Sequence, residues 1–173
     1  MKKLFLIPLI SFALLSCGEK EKIQAVKEGQ IAEDVYMYEA YKGDLKWILE
    51  SEQSIMQENV AYLTNPIVKF YENKEVSSTF RAVEGEFYFA KNLIVLKNNV
   101  RIHSFKDNTK VRTTILNYNL EDEFIWTDEN VYITRGDGNI KGTSLKAKAD
   151  LSEIEIENQE SYVPKSAEQD FNL

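Results

Sequence analysis

The sequence predicts an all-β domain, an antiparallel sandwich, barrel or roll. Three observations lead there. Beyond about residue 30 apolar and polar residues alternate with period two, the pattern of half-buried strands. Turn-forming clusters separate the alternating runs. No stretch makes a convincing amphipathic helix, and the three prolines fall at 8, 66 and 164, clear of the later strands.

In chain order, DLKWILESEQSIMQ (44–57) is the one ambiguous segment. Leu45, Ile48, Leu49 and Met56 approximate a helical stripe, whereas Leu45, Trp47 and Leu49 fit a strand; Trp47 and the surrounding β pattern favour the strand. Further on, Val100 and Ile102 alternate with Arg101 and His103, and Val131 and Ile133 with Tyr132 and Thr134. Leu145, Ala147 and Ala149 alternate with Lys146, Lys148 and Asp150, and glutamates separate Ile154 from Ile156. Turns are expected at Glu72-Asn73-Lys74, Asn98-Asn99, Lys106-Asp107-Asn108, Asp128-Glu129-Asn130 and Gly136-Asp137-Gly138. NLIVLKNNVRI (92–102) and DEFIWTDENVYI (122–133) then read as two similar hairpins. Leu151 to Glu157 reads as the last strand, with one side unpaired.

The N-terminus has a different layout. Met1-Lys2-Lys3 is a basic head, Leu4 to Leu15 is apolar, and Cys17 is the single cysteine. The apolar run is too short to span ~30 Å of hydrocarbon and has the form of a secretory signal. Leu14-Leu15-Ser16-Cys17 resembles the bacterial lipobox, which implies a cysteine that carries diacylglycerol after cleavage. The expected divisions are a signal peptide (1–16), a lipidated tether (17–30), a β domain (31–163) and a polar tail (164–173). With one cysteine there is no disulfide framework.

The 21 basic and 28 acidic residues give a net charge of −7, which argues against nucleic acid and against a general attraction to anionic membranes. Catalytic candidates are weak. His103 is the single histidine and has no partner at catalytic or zinc-ligand spacing. Glu121-Asp122-Glu123 lacks the alternation and sharp glycine turn of a calcium loop, and Arg135-Gly136-Asp137 suits a hairpin turn better than adhesion. No phosphate loop, nucleophile elbow or metal motif is present, so neither an enzyme nor a cofactor is expected. The chain is instead rich in aromatics, with nine Phe, nine Tyr and two Trp; they either fill a core or line an apolar groove.

LTNPIVKFYENKEVSSTFRAVEGE (63–86), NLIVLKNNVRIHS (92–104), KVRTTILNYN (110–119), FIWTDENVYI (124–133) and IKGTSLKA (140–147) together resemble the LptC family, the periplasmic component of the lipopolysaccharide-export machine. The matching positions are Val68, Phe70 and Tyr71; Asn99 and Val100; Val111, Thr113, Leu116 and Tyr118; Thr127, Asp128, Val131 and Ile133; Ile140 and Gly142. Asn98 and Ser144 stand where the family has glycine. If Ser144 needs positive φ, it costs on the order of a kcal/mol.

The resemblance implies a β-jellyroll of the OstA/LptA/LptC type, a folded-over sheet. Its apolar interior receives the acyl chains of lipopolysaccharide from an inner-membrane ABC transporter and passes them to a soluble LptA-like bridge protein. Val100, Ile102, Leu116, Tyr118, Val131, Ile133, Ile154 and Ile156 are the expected interior, lipid-contacting residues. Leu151, Ile154, Glu155 and Ile156 are the expected docking edge for the bridge protein. Cys17 would anchor the protein to the periplasmic face of the inner membrane. The competing expectation is a structural envelope lipoprotein whose closed, filled β-sandwich binds protein partners.

Overall fold

The computed structural model describes residues 29–162. Eleven strands form one antiparallel sheet. They are β1 (Gln30–Tyr41), β2 (Asp44–Gln57), β3 (Val60–Thr64), β4 (Ile67–Glu72), β5 (Glu75–Arg81), β6 (Glu84–Tyr88), β7 (Leu93–Ser104), β8 (Lys110–Asn119), β9 (Phe124–Arg135), β10 (Gly138–Lys148) and β11 (Ile154–Tyr162). A single 3-10 turn, Phe89–Lys91, interrupts the strands. No described helix is long and apolar enough to cross a membrane.

The topology is simpler than eleven labels suggest. β3 and β4 pair with successive halves of β2 in one continuous register, and β6 and β5 pair with β3 and β4 in the same way. Each couple is one long strand broken at Asn65-Pro66 or at Ala82-Val83. The sheet is therefore a meander of long strands in chain order, with β1 and β11 at its two edges. Tight turns join them: Lys42 and Gly43 both take positive φ, as do Asn73 and Lys74.

A line of irregularity crosses every long strand near its middle. Positive φ occurs there at Asp34, Asn65, Asn98, Asn99, Ser144 and Asn158, mostly the residue types that tolerate this region. Pairing shifts at Lys97/Val100, Arg112/Asn117 and Thr143/Leu145. The inward-facing set breaks step at the same line, from Ser51 to Ser54 and from Thr113 to Leu116. Hydrogen bonds nonetheless bridge it: Asn65 N to Val83 O at 2.8 Å, Val83 N to Asn98 O at 3.0 Å, and Thr64 N to Ser51 Oγ at 3.1 Å. Strands bend at such bulges to pass from one layer to another.

This bend folds the sheet on itself. Phe70 and Phe80, on the side holding β4 and β5, meet Tyr118 from the other side, at ring-centroid distances of 4.9 and 6.4 Å. Trp47 meets Phe87 in the same way at 6.4 Å. One layer holds β4 and β5, the other β3 and β6, and the core lies between them.

Two expectations are corrected. NLIVLKNNVRI and DEFIWTDENVYI are not hairpins: Asn98-Asn99 and Asp128-Glu129-Asn130 sit inside the single strands β7 and β9, at the bend. The last strand starts at Ile154, not Leu151, and runs to Tyr162. DLKWILESEQSIMQ is the expected strand throughout, and its helix-like spacing comes from the break in step at Ser51–Ser54.

Candidate functional site

All eight residues expected inside do point into one interior. Val100, Leu116 and Val131 are wholly enclosed, and Ile102, Tyr118 and Ile133 nearly so. Ile154 and Ile156 are half-buried and pack against the same cluster. Ile156 explains a glycine: a Cβ on Gly142 would meet Ile156 Cγ2 at 2.4 Å and the Glu157 carbonyl at 2.9 Å. Ser144 adopts φ +53°, so the serine is held in the left-handed region where the family has glycine.

Near the bend this interior is filled, not open. Leu49, Phe80, Leu96 and Ile125 are also fully enclosed. Space appears on the side away from the bend, where the two layers end. A cleft of ≈ 400 Å³ lies there, with Trp47, Phe70, Tyr118 and Leu120 among its apolar lining. Its rim is charged, with Lys46 and Glu72 from one layer and Asp122, Glu123, Lys148 and Asp150 from the other. Trp47 Nε1 donates to Glu39 Oε2 at 2.7 Å, so the indole is fixed with its polar edge at the opening.

The electrostatics of the cleft follow from this half-open geometry. Burial raises the Tyr118 phenol well above its ordinary value, and the carboxylates of Glu123 and Glu39 add to the shift. It remains a neutral O–H at any physiological pH. Burial pushes Asp150 upward, but hydrogen bonds from Ser152 and the charges of Lys106 and Lys148 outweigh it, and the carboxyl lies below its usual value. Lys148 pairs in turn with Glu153, which raises the amine.

β11 leaves one backbone side unpaired among the described residues. Glu155, Glu157 and Glu160 are exposed along it, while Ile154 and Ile156 face inward. Leu151 does not belong to this edge. It lies in the turn before β11 at φ +61° and 1% exposure, and its carbonyl accepts a hydrogen bond from Arg135 at 3.2 Å. An apolar residue at a tight turn found more surface to bury beneath the sheet than along it. β1, the opposite edge, carries exposed Ile31, Tyr36, Tyr38 and Tyr41.

Cys17 and the expected signal, tether and tail lie outside the described residues. His103 sits on the outer surface, with Nε2 2.8 Å from Asn108 Oδ1 and its ring 4.4 Å from that of Phe105. Among the described residues no group of His, Cys, Asp or Glu is placed to hold a metal. Trp47 and Leu120 were not among the expected site residues. Both are ordinary strand or turn residues until the bend brings their segments together.

A search of the curated proteins gives no match. The family model described as "Lipopolysaccharide-assembly, LptC-related" matches residues 14–161, which takes in the bend, the cleft and nearly all of β11. Family members are transport components on the periplasmic side of the inner membrane. With most of its length matched and a folded-over antiparallel sheet to go with it, the chain belongs to the LptC-related family and has a role in lipopolysaccharide transport.

Proposed function

We propose that the chain takes the acyl chains of lipopolysaccharide from an inner-membrane ABC transporter and hands them to a soluble bridge protein of the same fold. The observation that carries this is the cleft between the layer ends. Its aromatic lining continues directly into the buried cluster through Tyr118 and Phe70. An acyl chain entering there gains ~0.8 kcal/mol per buried CH₂, and no covalent step is needed. The charged rim suits a lipid whose head stays in water. The free side of β11 is the docking edge, through Ile154, Glu155 and Ile156 and without Leu151; strand addition would continue the apolar interior into the partner. An acylated Cys17, the processed end of a lipoprotein signal, holds the domain at the membrane.

The test is site-specific photo-crosslinking in cells from Tyr118 and Ile156, with exposed Glu84 on the acidic outer face as the control. Glycolipid adducts from the two inner positions and none from position 84 are expected. A fatty-acid label on the wild type that is lost in Cys17→Ala checks the anchor. Ile154→Pro removes a backbone donor from the free side of β11, whereas the Glu155 N–H faces β10, and it should cut capture of the bridge protein more than it lowers the thermal transition.

The filled interior beside the bend favours a second reading, a structural envelope lipoprotein that binds protein partners. Absence of glycolipid adducts in a well-folded, partner-binding protein would select it.

A further inference from the structure

The outer face of the layer holding β4 and β5 bears a row of cations that neither the cleft nor the edges use. Backbone pairing sets Arg81 opposite Arg101, Arg101 opposite Arg112, Arg112 opposite Tyr132, and Tyr132 opposite Lys141. All five are exposed and lie side by side on β5, β7, β8, β9 and β10. Lys110 and His103 form the start of a parallel row one step away.

Like charges set directly across a strand pair repel one another. No ion pair relieves it among the described residues: the three arginines, Lys110 and Lys141 make none, Arg101 donates only to the neutral Asn99 amide, and the one carboxylate directly in line, Glu160, stands opposite Lys141 at the β11 end, away from the arginines. The arrangement is also out of character for an acidic chain. The opposite outer face carries the exposed acids Glu33, Glu84, Asp128, Glu155 and Glu157. The net charge therefore conceals two faces of opposite sign. A depression of ≈ 520 Å³ runs over the cationic row, and Phe105 and Tyr132 are exposed beside it at 54% and 45%.

We infer that this face docks on the phosphate headgroups of an anionic bilayer. Arginine pairs with phosphate through two parallel hydrogen bonds, and exposed aromatic rings beside cations match the boundary between headgroup and hydrocarbon. The extent of the row decides between a surface and a single ligand. Four strand-to-strand steps of about 4.8 Å make it roughly 19 Å long and several phosphates wide. Docking here would turn the acidic face away from the membrane and fix the direction in which the cleft opens. The inference does not depend on whether the interior takes lipid.

The test compares the full chain with its Arg101→Gln/Arg112→Gln variant in sedimentation with vesicles of phosphatidylglycerol and phosphatidylcholine, and with vesicles of phosphatidylcholine alone. Both proteins also carry Cys17→Ala, so no acyl anchor sets the partitioning. The wild type should favour the anionic vesicles, the preference should fade with salt, and the double variant should lose about thirty-fold in partitioning, about 2 kcal/mol. Glu84→Gln/Glu157→Gln on the acidic face should not weaken binding. Matching thermal transitions would show that the arginine variant is folded. Equal partitioning of wild type and arginine variant, or equal binding to both vesicles, overturns the inference. So does wild-type binding of soluble glucosamine phosphate without any anionic-vesicle preference, which would mark a site for one phosphate rather than a surface.

Discussion

The two sides of the folded sheet make an instructive contrast. Beside the bend, where each strand continues from one layer into the other, Leu96, Val100, Leu116 and Val131 are wholly enclosed. Away from it, where the layers end in turns, Leu120 and Ala149 are only partly buried and a charged cleft replaces close packing. Covalent continuity holds the layers at a fixed separation on one side only. The other side depends on aromatic contacts, such as Phe70 with Tyr118, and on ion pairs between turns, such as Lys106 with Asp150 at 3.9 Å. Exposed pairs of that kind contribute little, about 0–1 kcal/mol. The layers therefore part most easily on the cleft side.

The largest test of this contrast is a pair of truncations. Leu116→Ala beside the bend should cost about 2–5 kcal/mol in urea unfolding, because the enclosed site cannot fill with water. Leu120→Ala, at the cleft, should cost less than about 1.5 kcal/mol, because part of that side chain is already wet. Equal losses would mean that the two sides are packed alike.

A smaller effect of opposite sign is expected at the bend itself. Ser144 is held at φ +53°, so Ser144→Gly should raise stability by about 1 kcal/mol or less. The same change at Ser152, a turn residue without positive φ, should give no such gain. A loss at 144 would show that the serine is not strained there.

The smallest effect concerns acid. Asp150 has a lower pKa folded than unfolded, so it stabilises the native state fully above its ordinary value of 3.8, and that contribution fades as pH falls through the folded pKa. The group is only half-buried, so solvent screening keeps the contribution small. Asp150→Asn should flatten the acid limb of stability below about pH 4 and leave it unchanged near pH 7. An unaltered acid limb would remove Asp150 from the forces that close the cleft.

Much of this architecture was legible in residue patterns, and the misreadings share one cause. Period-two alternation identified the interior residues of β7 to β11, because each half-strand keeps its own period. What alternation cannot reveal is whether Asn98-Asn99 reverses the chain or only bends it. Both need positive φ, and both attract asparagine. The distinction lies in pairing: Lys97 and Val100 face the same neighbouring strand, β8, so the chain carries on. Leu151 was misplaced for a related reason, since an apolar residue three places from a strand looks like its continuation. The cleft was not legible because its residues come from strands far apart in sequence. The cationic face was hidden by counting charge over the whole chain; three arginines 81, 101 and 112 become neighbours only through register.

The meander has a consequence for how the molecule is assembled. Each long strand pairs with the one just made and the one about to follow, so the growing sheet needs few contacts between distant parts of the chain, and low sequence separation favours rapid folding. A chain emerging N-terminus first can add strand to strand in the order of synthesis. The last hairpin differs. Ser78 Oγ donates to Ala149 O at 2.8 Å, Arg135 reaches Leu151 O, and Lys106 faces Asp150, so the β10–β11 turn ties the end of the chain back to segments laid down much earlier. It works as a latch. A chain cut short before residue 149 would keep its hairpins and lose the fastening that brings the two layers together, which makes the final hairpin the checkpoint between a partly built sheet and a finished carrier.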